Sequence, residues 1–286
     1  MTVHSGSLTA VSDGPQSSAA ERIKARYGAP PSVLPPSWNE TLDVLLNHRS
    51  SRAYLPTALP QGTVELLVAA AQSAPTSSNL QAWSVVAVED PERKARLEEF
   101  AAPNPQITAA PLFLVWLVDL SRLRSIARSN DTEGAGLDYL ESFVIGAIDA
   151  ALAAQNAVAA IDSLGLGSCY IGGIRNRPED VARELNLPPE TIAVFGLTVG
   201  YPDPAVKTDV KPRLPQSAVL FREQYGTVSE QDLVSYDERL KTFQKGQNMP
   251  EAGWTSVIAK RIGSAAALKG RVELTAILRR FGFALK

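Results

Sequence analysis

Apolar side chains recur along this chain at helical and strand spacings. Leu42, Leu45 and Leu46 share one face of residues 41–48, and Asn39 stands where an N-cap accepts from free amides. Val64, Leu67, Val68 and Ala71 form a second stripe in residues 60–72, and residues 74–79 break it. Residues 84–88 are short and β-branched and predict a strand. Asp90-Pro91-Glu92 then opens a helix that continues through residues 93–100. Residues 111–119 are an unbroken apolar run, the pattern of a central strand covered on both faces. Residues 137–164 predict a long helix that is apolar nearly all round, so it must be buried, in a domain core or a dimer interface. Its Ala147, Ala150, Ala151, Ala154 and Ala157 permit close approach of another helix.

Residues 168–174 and 193–200 predict strands, with a helix over residues 178–185 between them. Beyond Pro204 the chain is extended through residues 211–215, residues 218–221 add a strand, and residues 229–244 and 256–281 predict amphipathic helices, the second interrupted at Gly270. Strands and helices alternate loosely, which predicts an α/β-like layered sheet. Residues 1–20 lack periodicity and predict a mobile tail. Residues 21–27 predict a short helix, and residues 28–36 contain four prolines and predict an extended linker. The folded body is expected to begin near Trp38.

Composition narrows the function. A net charge of -2 argues against nucleic acid as a partner, because phosphate backbones call for a strongly basic face. Cys169 is the single cysteine, so no internal disulfide forms, which fits a reducing compartment. One cysteine with His4 and His48 makes a structural zinc site an unexpected feature, and no metal is expected. The most apolar stretches are short, or interrupted by Asp149, Gln155 and Asn156, so no membrane span is expected. The first residues lack the pattern of a secretory signal, and the expected location is the cytoplasm.

Four constellations carry candidate chemistry. His48-Arg49-Ser50-Ser51-Arg52 places cations and hydroxyls just past a helix, suited to phosphate oxygens or to an electron-rich ring edge; a basic helix end offsetting the helix dipole is the alternative. Residues 75–81 crowd Thr76, Ser77, Ser78, Asn79 and Gln81 into one loop, either a polar cofactor rim or an ordinary helix stop. Around Cys169, paired glycines flank and interrupt a strand, which suggests close backbone approach by a flat group. Lys211 and Arg213 stand two residues apart in an extended, proline-stiffened segment, where both could clamp one phosphate or simply face solvent. The sequence holds no Gly-x-Ser-x-Gly elbow, Walker loop or plausible catalytic triad. Many binding groups without acid–base machinery suit a cofactor that performs the chemistry itself, so no side chain is assigned a catalytic role.

In order and spacing these motifs resemble the nitroreductase/flavin reductase family, in its larger NADPH-preferring, oxygen-insensitive branch. The resemblance runs from about Trp38 to near the C-terminus and rests most on His48–Arg52, Ala154-Gln155-Asn156, Gly165-Leu166-Gly167, Tyr170-Ile171-Gly172-Gly173, Gly200-Tyr201-Pro202 and Lys211-Pro212-Arg213-Leu214-Pro215. It implies an α+β fold, a mainly antiparallel sheet flanked by helices, in an intertwined homodimer with FMN at the interface. It divides the chain into a tail and linker (residues 1–37), an FMN-binding domain (residues 38–225) and a C-terminal helical extension (residues 226–286). By this resemblance His48, Arg49, Ser50 and Arg52 meet the FMN phosphate, ribityl chain and ring, and Lys211 and Arg213 complete the phosphate clamp. Tyr170, Ile171, Gly172 and Gly173 give backbone contacts along the ring, Asn104 lies near it, and Thr76, Ser77 and Ser78 come from the partner chain. The long alanine-lined helix becomes the expected dimer core.

The implied activity is ping-pong hydride transfer from NADPH or NADH through FMN to a small nitroaromatic, quinone or flavin acceptor. A non-catalytic flavin store, or a relative with other FMN chemistry such as dehalogenation, is the alternative. In this branch basic residues before a tryptophan are associated with the NADPH 2'-phosphate, whereas the loop ahead of Trp254 carries Glu251 and no arginine. A carboxylate there repels a 2'-phosphate and can accept ribose hydroxyls.

Overall fold

The computed structural model describes residues 15–31 and 33–286, with residues 15–17 as backbone alone. The first fourteen residues of the expected tail lie outside the described residues. In chain order the helices and strands are α1 (Pro15–Tyr27), α2 (Glu40–Asn47), α3 (Thr63–Gln72), β1 (Trp83–Val88), α4 (Pro91–Ala101), α5 (Gln106–Ala109), β2 (Leu112–Asp119), α6 (Ser121–Ser129), α7 (Leu140–Ser163), β3 (Gly167–Ile171), α8 (Pro178–Glu184), β4 (Thr191–Gly200), α9 (Glu230–Gly246), α10 (Trp254–Ile262) and α11 (Leu274–Arg280). The expected caps form: Asn39 accepts from the Leu42 amide at 3.0 Å, and Asp90 from the Arg93 amide at 2.7 Å.

Two compact units are present, one of residues Met1–His48 with Asp209–Val257, the other of Arg49–Thr208 with Ile258–Lys286. The second contains a four-stranded sheet in the order β1-β2-β4-β3, antiparallel at every pairing. All eight residues of β2 are buried, as its apolar run predicted. The loose alternation of elements nevertheless misled: this is the α+β arrangement implied by the resemblance, not an α/β layering. A strand covered on both faces shows the same unbroken apolar run whichever way its neighbours point, so the run leaves direction undetermined.

Helices cover both faces of this sheet. On one, Leu67 and Ala71 of α3 and Ala153, Ala154, Ala157 and Ile161 of α7 pack with Leu112, Leu114 and Trp116 of β2 and Leu197 and Val199 of β4. On the other, Leu97 and Ala101 of α4 and Val181 of α8 pack with Phe113, Val115 and Leu117. Helix α7 is long and apolar enough to cross a membrane by composition, yet one face of it is core of this unit. Its buried alanines therefore fit the helix to its own sheet and to α3. The opposite face carries Leu140, Val144, Ile148 and Leu152, which are 51%, 40%, 52% and 39% exposed.

The other unit is built around α1, α2 and α9. Arg22 of α1 grips both carboxylate oxygens of Asp43 on α2, at 2.7 and 2.9 Å, and reaches Asn47 at 3.1 Å. Helix α1 begins at Pro15, six residues ahead of the Glu21 start predicted for it. Residues 218–221 form no strand: a 3-10 turn at Gln216–Ala218 is followed by Val219 and Leu220 at 66% and 54% exposure. A short apolar run forms a strand only where another strand pairs with it, which pattern alone cannot supply. The helix predicted over residues 256–281 is broken after Ile262 and again at Lys269 and Gly270, which have φ of 53° and 81°.

Candidate functional site

The edge strand β3 organises the site in the sheet-bearing unit. Residues 50–54 run beside it: Ser50 is bridged to Ser168, and the Ser51 amide donates to the Ser168 carbonyl at 2.9 Å. Gly167 makes this approach feasible, because a Cβ there would stand 2.4 Å from the Ser51 hydroxyl oxygen. Tyr54, buried, fixes the segment further. Its hydroxyl donates to the Ser51 carbonyl at 2.6 Å and lies 2.7 Å from the Thr198 hydroxyl. Burial pushes the Tyr54 phenol well above its ordinary range, so it stays protonated. The result is an extended stretch in which Ser51 is buried while Arg49 and Arg52 are exposed.

Past the Ser50–Ser168 bridge, no strand among the described residues pairs with the outer edge of β3. An edge of this kind presents backbone N–H and C=O groups to whatever lies alongside. Tyr170 and Ile171 sit on it, and Gly172 and Gly173 continue into a 3-10 turn, Gly172–Arg175. Asn104 packs there too: its side-chain amide nitrogen donates to the Ala101 carbonyl at 2.7 Å and would lie 2.6 Å from a Cβ on Gly173. Three of the regions singled out in the sequence, at residues 50–52, 104 and 170–173, thus meet along one strand and its continuation.

Sequence reasoning missed the cations beside this turn. The Arg175 guanidinium donates to the Val194 carbonyl and stands 3.5 Å from where a Gly172 Cβ would be. Arg271 donates to the Asn176 side-chain oxygen at 3.0 and 2.8 Å. Burial, then nearby Arg261, lowers the Arg175 pKa; burial, then Arg175 and Arg261, lowers that of Arg271. Arg175 stands two residues after the paired glycines and was open to detection from that position. Arg271 lies almost a hundred residues on, and only the fold brings it near.

Thr76, Ser77 and Ser78 occupy a loop leading into β1, at the opposite edge of the sheet from β3. Three strand spacings of about 4.8 Å separate those edges by about 14 Å. Asp149 of α7, buried, holds the loop by accepting from the Thr76 hydroxyl at 2.6 Å and from the Ser77 and Ala82 amides at 3.2 and 3.1 Å. The single hydroxyl donor of Thr76 is therefore committed to Asp149, while Ser77 and Ser78 are exposed. Ser78, Asn79 and Gln81 all have positive φ, of 48°, 56° and 50°, conformations that side chains resist and that collect at functional loops. Asp149→Asn removes one acceptor and is expected to destabilise the protein by about 2 kcal/mol, chiefly by leaving a buried amide unpaired. Urea unfolding measures this; a change below about 0.5 kcal/mol contradicts the anchoring role.

In the other unit, His48 follows α2 and is half-buried. Lys211 and Arg213 lie on an extended segment. The Pro212 carbonyl accepts from the Tyr236 hydroxyl at 3.1 Å, and the Arg213 amide donates to the Arg26 carbonyl at 3.0 Å. The Lys211 ammonium sits over the Phe243 ring, 6.0 Å from its centroid, and Arg213 is exposed.

The sequence model of the Nitroreductase family matches residues 45–201, and that of its C-terminal domain matches residues 211–286. The chain belongs to the nitroreductase family. It is 36% identical over 226 residues to an FMN reductase (NADPH) of Bacillus subtilis, covering 77% of this chain and 90% of that protein. It is 34% identical to an oxygen-insensitive NADPH nitroreductase of Salmonella typhimurium, over 78% of this chain and 90% of that one. The structure of NfrA2 from B. megaterium superposes with a TM-score of 0.81 at 34% identity, covering 87% of this chain and 99% of that one. The family match begins at residue 45, within α2, so α1 lies ahead of it.

Proposed function

We propose that this chain is an FMN-dependent NAD(P)H oxidoreductase that reduces nitroaromatic, quinone or flavin acceptors. The observation that carries this reading is the open edge of β3 at Tyr170 and Ile171 with the turn that continues it through Gly172 and Gly173, beside residues 50–52 and Arg175. The donor set suits FMN: backbone groups for a flat heterocycle with polar edges, serine hydroxyls for a polyol chain, and cations for a phosphate. His48, Arg49, Ser50, Arg52, Lys211 and Arg213 would hold the phosphate and ribityl chain. Asn104 and residues 170–173 would line the ring. When bound, FMN supplies the two-electron chemistry, accepting a hydride from NAD(P)H and passing electrons to the acceptor. The chain's own part is to orient the ring and to set positive charge beside it through Arg175 and Arg271, which favours added electrons. Relatives named as an FMN reductase and a nitroreductase support the choice of donor and acceptor classes.

Homodimerisation completes the proposal. Thr76, Ser77 and Ser78 stand at the far sheet edge from residues 170–173, so the partner's copies serve each flavin. The exposed stripe Leu140, Val144, Ile148 and Leu152 supplies an apolar face for the partner. The buried thiol of Cys169, outside any disulfide, accords with the cytoplasm. Glu251 is exposed in the loop ahead of Trp254 and disfavours a 2'-phosphate there, so NADH is a competent donor beside NADPH. Purified protein is expected to be yellow, or to take up added FMN with about one flavin per chain. Colourless protein that leaves FMN fluorescence unchanged on titration would refute the proposal.

A further inference from the structure

Arg26 is a nearly buried cation, 7% exposed, in α1. Its hydrogen bonds run to main-chain oxygens on two separate segments. One terminal nitrogen donates to the Lys211 carbonyl at 2.8 Å; the other donates to the Leu46 and His48 carbonyls at 2.8 and 3.0 Å. The Arg26 carbonyl in turn accepts from the Arg213 amide at 3.0 Å. One residue therefore ties the last turn of α2, out of which His48 emerges, to the stretch bearing Lys211 and Arg213. Arg22, one turn earlier on α1, secures the helix through its two-pronged contact with Asp43.

Burying a guanidinium is unfavourable unless the surroundings repay it. Here the acceptors of Arg26 are carbonyls, and its charged neighbour is another cation: burial, then Arg213, holds its pKa below the ordinary value. A planar fork meeting three carbonyls at once is a geometry that lysine cannot copy. Helix α1 also lies ahead of residues 45–201 and 211–286, the parts matched to the family.

We infer that Arg26 is a positioning residue for the phosphate end of the flavin site, fixing from helix α1 the backbones that present His48, Lys211 and Arg213. The inference rests on the proposal that those residues grip the FMN phosphate. It assigns Arg26 no contact with the cofactor.

The test compares FMN with riboflavin, which lacks the phosphate, by fluorescence titration of the apoprotein. Arg26→Gln is expected to weaken FMN binding about thirtyfold while riboflavin binding changes less than about twofold. Arg26→Lys keeps the charge but loses the fork, and is expected to give up about tenfold of the FMN-over-riboflavin preference. Equal weakening of both flavins by Arg26→Gln, or full preference in Arg26→Lys, would overturn the inference. Arg26→Lys decides alone if Arg26→Gln does not fold. Lys211→Ala, measured alongside, separates the two levels. If it keeps the wild-type preference, the phosphate reading itself fails. If it loses preference while the Arg26 variants keep theirs, the positioning role alone fails.

Discussion

Lys211→Ala is expected to weaken FMN binding about thirtyfold, and Lys211→Ala with Arg213→Ala about three-hundredfold, without unfolding the protein. A hydrogen bond to a charged group contributes about 1.5–3 kcal/mol, which is about a tenfold to hundredfold effect per contact. The double variant falls short of the product because the two cations would share one phosphate. Stability should hold because the segment is anchored through main-chain atoms: the Lys211 and Pro212 carbonyls accept from Arg26 and Tyr236, and the Arg213 amide donates to Arg26. Truncating the side chains removes the Lys211 contact with Phe243 and leaves those bonds in place. Arg49→Ala, on the exposed start of the stretch beside β3, is expected to behave like Lys211→Ala. Equilibrium dialysis of FMN with thermal melts of the apoprotein measures both properties. Variants that retain FMN as tightly as wild type would contradict the clamp.

Ile148→Glu is expected to convert a dimer into a folded monomer that loses most of its FMN. Ile148 is 52% exposed at the centre of the stripe on α7, whereas Asp149, Ala150, Ala153 and Ala154 face inward. The substitution therefore spares the chain's own core. In a two-fold dimer each interface receives two new carboxylates, and burying an unpaired charge costs several kcal/mol. At micromolar concentration that shifts the equilibrium to monomer. Flavin loss should follow because Thr76, Ser77 and Ser78 of the partner would leave with it. Light scattering after size exclusion, with the absorbance ratio of flavin to protein, reads both effects. A wild-type monomer, or a variant that stays dimeric with full flavin, would contradict the proposed assembly.

Much of the fold was legible where one physical cause acts locally. Asn39 and Asp90 announced helix starts because capping needs a side-chain oxygen at one position. The all-buried β2 was legible because its residues are apolar without interruption. Helix α6 went unpredicted although Leu123, Ile126 and Ala127 stand at helical spacing among its arginines. Strand direction was hidden for the reason given by β2 itself. The alanines of α7 were legible as a close-packing face, but whether that face met its own sheet or a partner depended on tertiary placement.

Site legibility followed the same line. The run at residues 48–52, Lys211 with Arg213, and the paired glycines are compact motifs, and residues 50–51, 104 and 170–173 do come together. Asp149 and Arg26 act through single side chains on distant segments of the chain. Nothing near either in sequence points to its partners, which lie 67–73 and 20–185 residues away along the chain.

The most direct test of the central claim is anaerobic mixing of the FMN-loaded protein with NADPH or NADH, followed by addition of a nitroaromatic. The account predicts that the visible absorption of the oxidised flavin bleaches within seconds, stays bleached in the absence of acceptor, and returns when the nitroaromatic is added. A flavin that remains oxidised for many minutes in both nucleotides, or that once reduced does not respond to any nitro, quinone or flavin acceptor, would contradict it.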